Sequence, residues 1–146
     1  MLEKEIKTER LTIKSPQIDD GVELTELIND KSVIKWLSDI PFPYTLRHAE
    51  EFIERSQEKA LKNESYNFMI FQNNKMLGGI GLTEFTNQSC ELGYWLGRKY
   101  WRNGFATEAV TSILDFGFVQ LNLKEVFASY KIGNEGSKRV LMKCGF

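Results

Sequence analysis

The sequence predicts one mixed α/β domain, and three observations lead to this prediction. Strand-like and helix-like segments alternate along the chain without internal repeats, low-complexity tracts or a flexible linker. The chain has 146 residues and 42% hydrophobic content, which is enough for one substantial core. An apolar strand pattern is joined to an amphipathic helix pattern by a short loop containing Gly104. We therefore expect a single domain spanning residues 1–146.

The first half of the chain predicts one strand followed by two helices. Residues 8–14 form the expected strand. Asp19 or Asp20 can cap the first helix, whose apolar positions are Val22, Leu24, Leu27 and Ile28. The second helix is expected to start after Thr45 and to run towards Lys62, with an inner face of Ala49, Phe52, Ile53 and Ala60.

The second half predicts four strands and two helices, with one helix between the last two strands. Strands at 66–71 and 76–82 flank Asn73 and Asn74, which suit a hairpin turn, and a strand at 90–96 follows. A helix is expected after Gly104, and a strand at 124–130 comes before the last helix. The apolar positions of the helix after Gly104 are Ala106, Ala109, Val110, Ile113, Leu114, Gly117 and Leu121. The glycines Gly78, Gly79 and Gly81 indicate a bulge or a close backbone contact. Asn134 can cap the last helix, whose expected inner face is Ser137, Val140, Leu141 and Cys144.

The loop before the middle helix has the features of an anion-binding site. Gly104 allows close backbone approach, and the unpaired N–H groups of a helix start attract negative charge. A P-loop would need Gly-Lys-Ser/Thr, but Phe105 and Ala106 follow Gly104; a dinucleotide fingerprint would need three spaced glycines. The loop therefore predicts a phosphate-bearing coenzyme that is held mainly by backbone groups.

Composition argues against several classes of function. Lys and Arg number 19 against 20 Asp and Glu, so the formal charge of −1 disfavours binding to nucleic acid or to an anionic membrane. The first five residues lack the apolar core of a signal peptide, which predicts a soluble cytoplasmic protein. Cys90 and Cys144 lack the spacing of metal ligands, so no metal is expected. Both cysteines are expected to be core residues. A Cys90–His48 nucleophile pair is a minor alternative, because sequence does not fix distances.

These motifs together resemble the GNAT superfamily of N-acetyltransferases, and specifically the branch of the ribosomal-protein N-terminal acetyltransferases. Three segments show this resemblance: Glu9-Arg10-Leu11-Thr12-Ile13-Lys14, the stretch from Glu91 to Ala109, and the stretch from Asn134 to Phe146. The loop departs from the usual Gln/Arg-x-x-Gly-x-Gly/Ala, since Trp101 fills its first position. The resemblance implies a central mixed, mostly antiparallel sheet with a splayed coenzyme-binding strand and flanking helices. It also implies acetyl transfer from acetyl-CoA to an amine.

The same resemblance assigns residues to the coenzyme. The pantetheine arm is expected beside the strand residues Tyr94, Trp95 and Leu96, with a backbone N–H near Tyr94 polarising the acetyl carbonyl. Asn134 is expected to contact the pantetheine region, and Ser137 to protonate the departing thiolate through a water or a partner. The expected pyrophosphate-binding residues are Trp101, Arg102, Asn103, Gly104, Phe105, Ala106 and Thr107. Lys138, Arg139 and Lys143 either reach the outer phosphate or form a solvated helix face.

An attacking amine must lose a proton, and a carboxylate can collect it directly or through water. Glu91 is the leading candidate for this general base, since it precedes Gly93 and Tyr94 on the coenzyme strand. It can equally be a partly exposed strand residue or an ion-pair partner. Glu84 is the second candidate. Glu108 is expected to have a structural role, because a carboxylate in the first turn of a helix interacts favourably with the helix dipole.

The acceptor is the least determined part of the prediction. A protein N-terminal α-amine, a small amine such as an antibiotic or polyamine, and a non-catalytic acyl-CoA-binding module remain open. Trp36, Asp39, Phe42 and Tyr44 are expected to border an aromatic, weakly acidic acceptor pocket.

The end of the sequence adds one expectation about assembly. This branch normally continues past a Lys-x-Gly-Phe motif with two further strands, whereas the sequence ends at Phe146. A domain without those strands would leave segment 124–130 at a sheet edge. Truncation, completion by a partner and strand exchange in a homodimer are the open explanations, and catalytic competence depends on which applies.

Overall fold

The computed structural model describes residues 5–146, and its centre is a six-stranded sheet whose strands follow chain order. Each strand is antiparallel to its neighbour except the last pair, which is parallel. The mixed, mostly antiparallel sheet is therefore confirmed. The strands are β1 (Glu5–Lys7), β2 (Thr12–Lys14), β3 (Tyr66–Gln72), β4 (Lys75–Thr86), β5 (Ser89–Leu96) and β6 (Glu125–Phe127).

Five helices accompany the sheet in the described residues. They are α1 (Gly21–Ile28), α2 (Lys31–Ile34), α3 (Leu46–Leu61), α4 (Phe105–Asp115) and α5 (Glu135–Lys143), and α4 continues into a π-helical turn at Phe116–Gln120. One predicted cap is confirmed, since the Asn134 side chain accepts the N–H of Ser137 in α5. The cap predicted for the first helix is wrong: Asp20 precedes α1, but its carboxylate accepts the Gln17 N–H instead of an N–H of that helix. The helix α3 starts after Thr45 as expected, and the Thr45 hydroxyl accepts the N–H of His48. Asn73 and Asn74 both have positive φ, as a two-residue hairpin turn requires.

The sheet separates two hydrophobic cores, because neighbouring residues along a strand point to opposite faces. On one face, strand residues such as Phe68 and Leu92 pack with Ala109 and Ile113 of α4. On the other face, Met69 and Met76 pack with residues of α1 and α3, including Leu24, Ile28, Ala49 and Ile53. The coenzyme loop and the helices α1 and α3 therefore lie on opposite sides of one sheet.

Two sequence-based expectations for the first half of the chain were wrong in detail. Residues 8–14 do not form one strand: the Thr8 N–H donates to the Leu11 carbonyl, and this turn separates β1 from β2. Val22 was expected on the inner face of α1 but is 57% exposed, because the buried stripe of that helix consists of Gly21, Leu24 and Ile28 and Val22 lies beside it.

The parallel pair β5–β6 separates soon after it forms. Its register covers only Ser89 to Glu91, so the rest of β5 has a strand partner on the β4 side alone. The Gly97 N–H donates to the Leu77 carbonyl in β4. Because backbone groups alternate sides along a strand, those of Tyr94 and Leu96 point away from β4, into the gap. This confirms the splayed strand.

The structure tests only part of the expectations about the chain ends, the membrane and assembly. The absence of a signal peptide concerns residues 1–4, which lie outside the described residues. Within 5–146, no helix is long and apolar enough to cross a membrane. The strand β6 forms an edge of the sheet, with Phe127 exposed. The single domain and the homodimer stay predictions.

Candidate active site

The start of α4 offers unpaired backbone N–H groups to the surface. Gly104 precedes the helix with φ of 78°, and no side chain caps the first turn. Within residues 5–146, the N–H groups of Phe105, Ala106 and Thr107 have no hydrogen-bond acceptor. These donors and the positive end of the helix dipole favour a negatively charged group at this turn.

Side-chain hydrogen bonds fix the shape of the loop that leads to α4. The indole Nε1–H of Trp101 donates to the Leu96 carbonyl at 2.9 Å, and the Asn103 amide donates to the Trp101 carbonyl at 3.0 Å. The Trp101 side chain is thus a support for the loop rather than a surface group. A groove of about 590 Å³ follows α4 from Gly104 to Asp115 and is also lined by Lys143 at the end of α5.

Arg10 is a residue of this site that the sequence analysis did not single out. Its Nη1 donates to the Asn103 carbonyl at 2.9 Å, and its guanidinium lies 4.4 Å from the centre of the Phe105 ring. The opening segment therefore clamps the coenzyme loop from outside. The Glu9-Arg10-Leu11 motif was the available signal, but the sequence showed no link between it and the loop.

Glu108 holds Arg10 in place, which confirms its expected structural role. Its carboxylate accepts hydrogen bonds from the Arg10 backbone N–H at 2.8 Å, from Arg10 Nε at 2.7 Å and from the Thr8 hydroxyl. Burial raises the pKa of Glu108, but the hydrogen bonds from Thr8 and Arg10 and the Arg10 charge outweigh it, so the pKa lies below its usual value.

We expect Glu108→Gln to destabilise the protein by about 1 kcal/mol at neutral pH, since charge-assisted hydrogen bonds are lost at a partly exposed site. A carboxyl with a lowered folded pKa stabilises at pH above its unfolded pKa and loses this contribution as the pH falls. The difference from wild type should therefore shrink below about pH 4.3. Urea unfolding at neutral and acidic pH measures it, and exposed Glu54→Gln is the control. A gap that is constant with pH would contradict this account.

A polar pair lies on the α4 side of the sheet, below the gap between β5 and β6. The Tyr94 hydroxyl and the Ser137 hydroxyl are 2.9 Å apart and partly buried. The Asn134 side-chain oxygen fixes the start of α5 by accepting the Ser137 N–H at 3.1 Å. Burial raises the pKa of the Tyr94 phenol more than the hydrogen bond with Ser137 lowers it, so the phenol stays protonated at neutral pH.

A cleft of about 310 Å³ opens on the other face of the sheet, under α1, α3 and the segment between them. Its floor includes Gly93 and Trp95 of β5, and the Trp95 indole lies over Gly79, where a Cβ would be 2.8 Å from Nε1. The close contact expected of these glycines is confirmed. The cleft and the first turn of α4 thus reach β5 from opposite faces.

The border of this cleft differs from the sequence-based expectation. Tyr44 lines it, but Leu37, Ser38 and Ile40 line it in place of Trp36, Asp39 and Phe42. None of its lining residues carries a charge, so the expected weak acidity is also wrong.

The two candidate bases occupy different surroundings. Glu91 lies on the cleft face of β5, two residues before Gly93, and its carboxylate accepts a hydrogen bond from the Ser129 hydroxyl at 3.3 Å. Glu84 is exposed and lies at the irregularity where β4 loses register with β5. This placement keeps Glu91 as the stronger candidate, although it does not line the cleft itself.

The remaining reactive residues are placed away from the cleft. Cys90 is fully buried in the α4-side core, and burial raises the pKa of its thiol to about 11. His48 is bonded to Thr45 at the start of α3, on the opposite face, so a Cys90–His48 nucleophile pair is excluded. In the described part of the chain, no three His, Cys, Asp or Glu residues cluster as metal ligands would.

Comparison with known families accounts for this arrangement. The family profile described as the acetyltransferase (GNAT) domain matches residues 10–146, which is nearly the whole chain. The chain belongs to the GNAT acetyltransferase family. The splayed strand beside a helix start, which the resemblance implied, is thus part of a GNAT fold.

Three relatives illustrate the similarity of this GNAT acetyltransferase. The "Uncharacterized N-acetyltransferase p20" of Bacillus licheniformis is 31% identical over 143 residues, covering 95% of this chain and 80% of that protein. The structure of ribosomal-protein-S5-alanine acetyltransferase from Vibrio fischeri has a TM-score of 0.88 at 21% identity, covering 98% and 82% of the two chains. The microcin C7 self-immunity acetyltransferase MccE, in complex with acetyl-CoA and AMP, has a TM-score of 0.86 at 23% identity, covering 95% and 79%.

Proposed function

We propose that this GNAT acetyltransferase transfers the acetyl group of acetyl-CoA to an amine, with a protein N-terminal α-amine as the leading acceptor and the cytoplasm as its location. The observation that carries the proposal is the gap between β5 and β6, which opens next to the uncapped start of α4. The structural relative from Vibrio fischeri is named for acting on a ribosomal protein, and this supports a protein acceptor.

The residues of the chain suit acetyl-CoA in two places. A diphosphate matches the free N–H groups of α4, and an amide-bearing arm matches the backbone groups of β5 that lack a strand partner. We propose that Trp101, Arg102, Asn103, Gly104, Phe105, Ala106 and Thr107 form the first place, and that Tyr94, Trp95, Leu96 and Asn134 form the second. When bound, the coenzyme supplies an activated acetyl thioester.

The chain's own groups then divide the proton transfers between the two faces of the sheet. Glu91, on the cleft side, removes a proton from the amine directly or through water. The Tyr94 backbone N–H points into the gap, where it can stabilise the developing oxyanion. Ser137 supplies a proton to the departing thiolate, and the Tyr94 phenol 2.9 Å away returns a proton to the Ser137 hydroxyl. Solvent then reprotonates the Tyr94 phenolate, and Glu91 releases the amine proton to solvent, so the protons balance over one turnover. The phenol is the partner that a serine acid requires.

Turnover of acetyl-CoA tests this function directly. We expect the purified protein to release CoA thiol only when an amine is added, with the acetylated amine identified by mass spectrometry. The panel contains a peptide with a free N-terminus, the same peptide acetylated, spermidine and an aminoglycoside. Activity confined to the last two would favour the small-molecule alternative. Tight acetyl-CoA binding without any product would favour the non-catalytic module, and lack of binding would reject the proposal.

Tyr94→Phe separates the proposed relay from simple packing. It should lower kcat about 10²-fold and leave the acetyl-CoA affinity unchanged, because it removes one proton source while keeping the ring. Tyr66→Phe is the matched control, since Tyr66 is also buried and donates one side-chain hydrogen bond, to Asn63 at 2.6 Å. Equal losses of kcat in both variants would show that the hydroxyl acts only on stability.

A further inference from the structure

The floor of the cleft contains a row of three paired residues across neighbouring strands, and only one of the three has a side chain. Asn67 of β3 pairs with Gly81 of β4, and Gly81 pairs with Gly93 of β5. All three line the cleft. The two glycines leave the row open, so Asn67 is the group that an occupant of this part of the floor would meet.

The two glycines differ in the space above them. A Cβ at Gly81 would lie 2.3 Å from Asn67 Oδ1, so the amide lies directly over that glycine. A Cβ at Gly93 would have no atom within 4 Å, so this end of the row is open space. The row is therefore a depression with an amide at one end and room for a substituent at the other.

The Asn67 amide is not used by the fold. Within residues 5–146 its side chain makes no hydrogen bond, whereas the comparable Asn29 binds both the N–H and the carbonyl of Tyr44. A carboxamide offers two donors and an acceptor. Asn67 is thus free to bind a neutral polar group of a molecule in the cleft.

The absence of charge around the cleft limits what can enter. Its other polar side chains are neutral, namely Ser38, Tyr44, Thr83, Tyr94 and the indole of Trp95. An ammonium group that leaves water to lie among these lining residues has no carboxylate beside it to compensate its desolvation, since Glu91 lies on the same face of β5 but outside the lining. A monoamine avoids this cost once it has lost its proton, but a second ammonium on the same molecule does not.

From this row and the uncharged lining of the cleft, we propose that Asn67 determines acceptor specificity. The Asn67 amide binds a neutral carboxamide of an apolar monoamine, and the uncharged cleft excludes an acceptor with a second positive charge. This inference rests on the proposed acetyl transfer. The apolar substituent lies over Gly93, and the amine is directed along β5 towards Glu91. Asn67 is a specificity residue and takes no part in the proton transfers.

Two pairs of small amines test the two halves of the inference. Phenylalaninamide and 2-phenylethylamine differ by a carboxamide, and lysinamide and norleucinamide differ by an ammonium group. Because a carboxamide also changes the acidity of its amine, the readout is the change in the kcat/KM ratio between variant and wild type. We expect wild type to prefer norleucinamide over lysinamide, and Asn67→Ala to lower the phenylalaninamide preference about 10-fold.

Asn67→Asp provides the converse change, because it adds a carboxylate with almost the same shape. It should raise the lysinamide to norleucinamide ratio about 10-fold. Asn73→Asp, in the exposed β3–β4 turn, adds the same charge away from the cleft and should leave both ratios unchanged. Gly93→Ala should lower kcat/KM for phenylalaninamide more than for methylamine, since its methyl group fills the open end.

Three outcomes would overturn the inference, and they differ in what else they imply. Unchanged ratios in Asn67→Ala and Asn67→Asp, with wild-type acetyl-CoA affinity and thermal stability, would remove Asn67 as the determinant while keeping acetyl transfer. Equal use of lysinamide and norleucinamide by wild type would remove charge exclusion. Acetyl-CoA binding without acetylation of any amine would reject the proposed function and this inference together.

Discussion

Glu91→Gln is expected to lower the acetylation rate by about 10²–10⁴-fold and to leave the acetyl-CoA affinity unchanged. Glutamine keeps the size of the side chain and can still accept the hydrogen bond from Ser129, but it cannot take a proton. The loss should shrink as the pH rises, because more of the amine is then neutral without help from the enzyme. Steady-state rates across the pH range with a fixed amine measure both effects.

Glu84→Gln is the matched control for this prediction. Glu84 is the second candidate from the sequence, but it is exposed at the edge of the β4–β5 pairing, so its substitution should have little effect. A Glu91→Gln protein with full rate throughout the pH range would reject Glu91 as the base. A large loss of rate in Glu84→Gln would then assign the role of base to Glu84. Full rates in both variants would indicate that a chain of water molecules removes the proton.

Gly104→Asp should weaken acetyl-CoA binding about 10²-fold, as expected from a new carboxylate a few ångströms from phosphate oxygens. Gly104 has φ of 78°, so any side chain also adds backbone strain, and a Cβ there would lie 3.2 Å from Arg10 Nη2. Isothermal calorimetry with acetyl-CoA gives the affinity, and thermal unfolding confirms that the variant is folded.

Gly104→Asn separates charge from strain and size. It has nearly the same shape as the aspartate and tolerates positive φ, but it carries no charge. We expect Gly104→Asn to bind acetyl-CoA more tightly than Gly104→Asp, and Arg102→Ala to lose less affinity than either, since backbone groups supply most of the contact. A folded Gly104→Asp protein with wild-type affinity would remove this loop from the coenzyme site.

The features that the sequence predicted correctly have local causes. The hairpin at Asn73 and Asn74 follows from two residues that tolerate positive φ, and the cap at Asn134 follows from a side chain that reaches the N–H three residues ahead. The start of α4 directly after Gly104 follows from one glycine before a helical pattern. In each case the interacting groups lie within a few residues of one another.

The features that the sequence missed join distant segments. Arg10 meets Glu108 across 98 positions, and Tyr94 meets Ser137 across 43. The first strand was overextended because the Thr8–Leu11 turn is stabilised by its contacts with Glu108, which the local pattern does not contain. The acceptor border was misassigned because the direction of each side chain between α2 and α3 depends on how that segment folds over the sheet.

The sequence by itself determined where α4 starts and which strand lies next to it, because these depend on periodicity and a glycine, and its motifs resembled the family that the profile then matched. Only the tertiary structure decided that Asn67, Gly81 and Gly93 form one row across three strands, and that no charge lines the cleft above it. The physical reason is strand register. Alternation assigns each residue to a face of the sheet, but pairing between strands decides which residues share a row and which of them an incoming acceptor can reach.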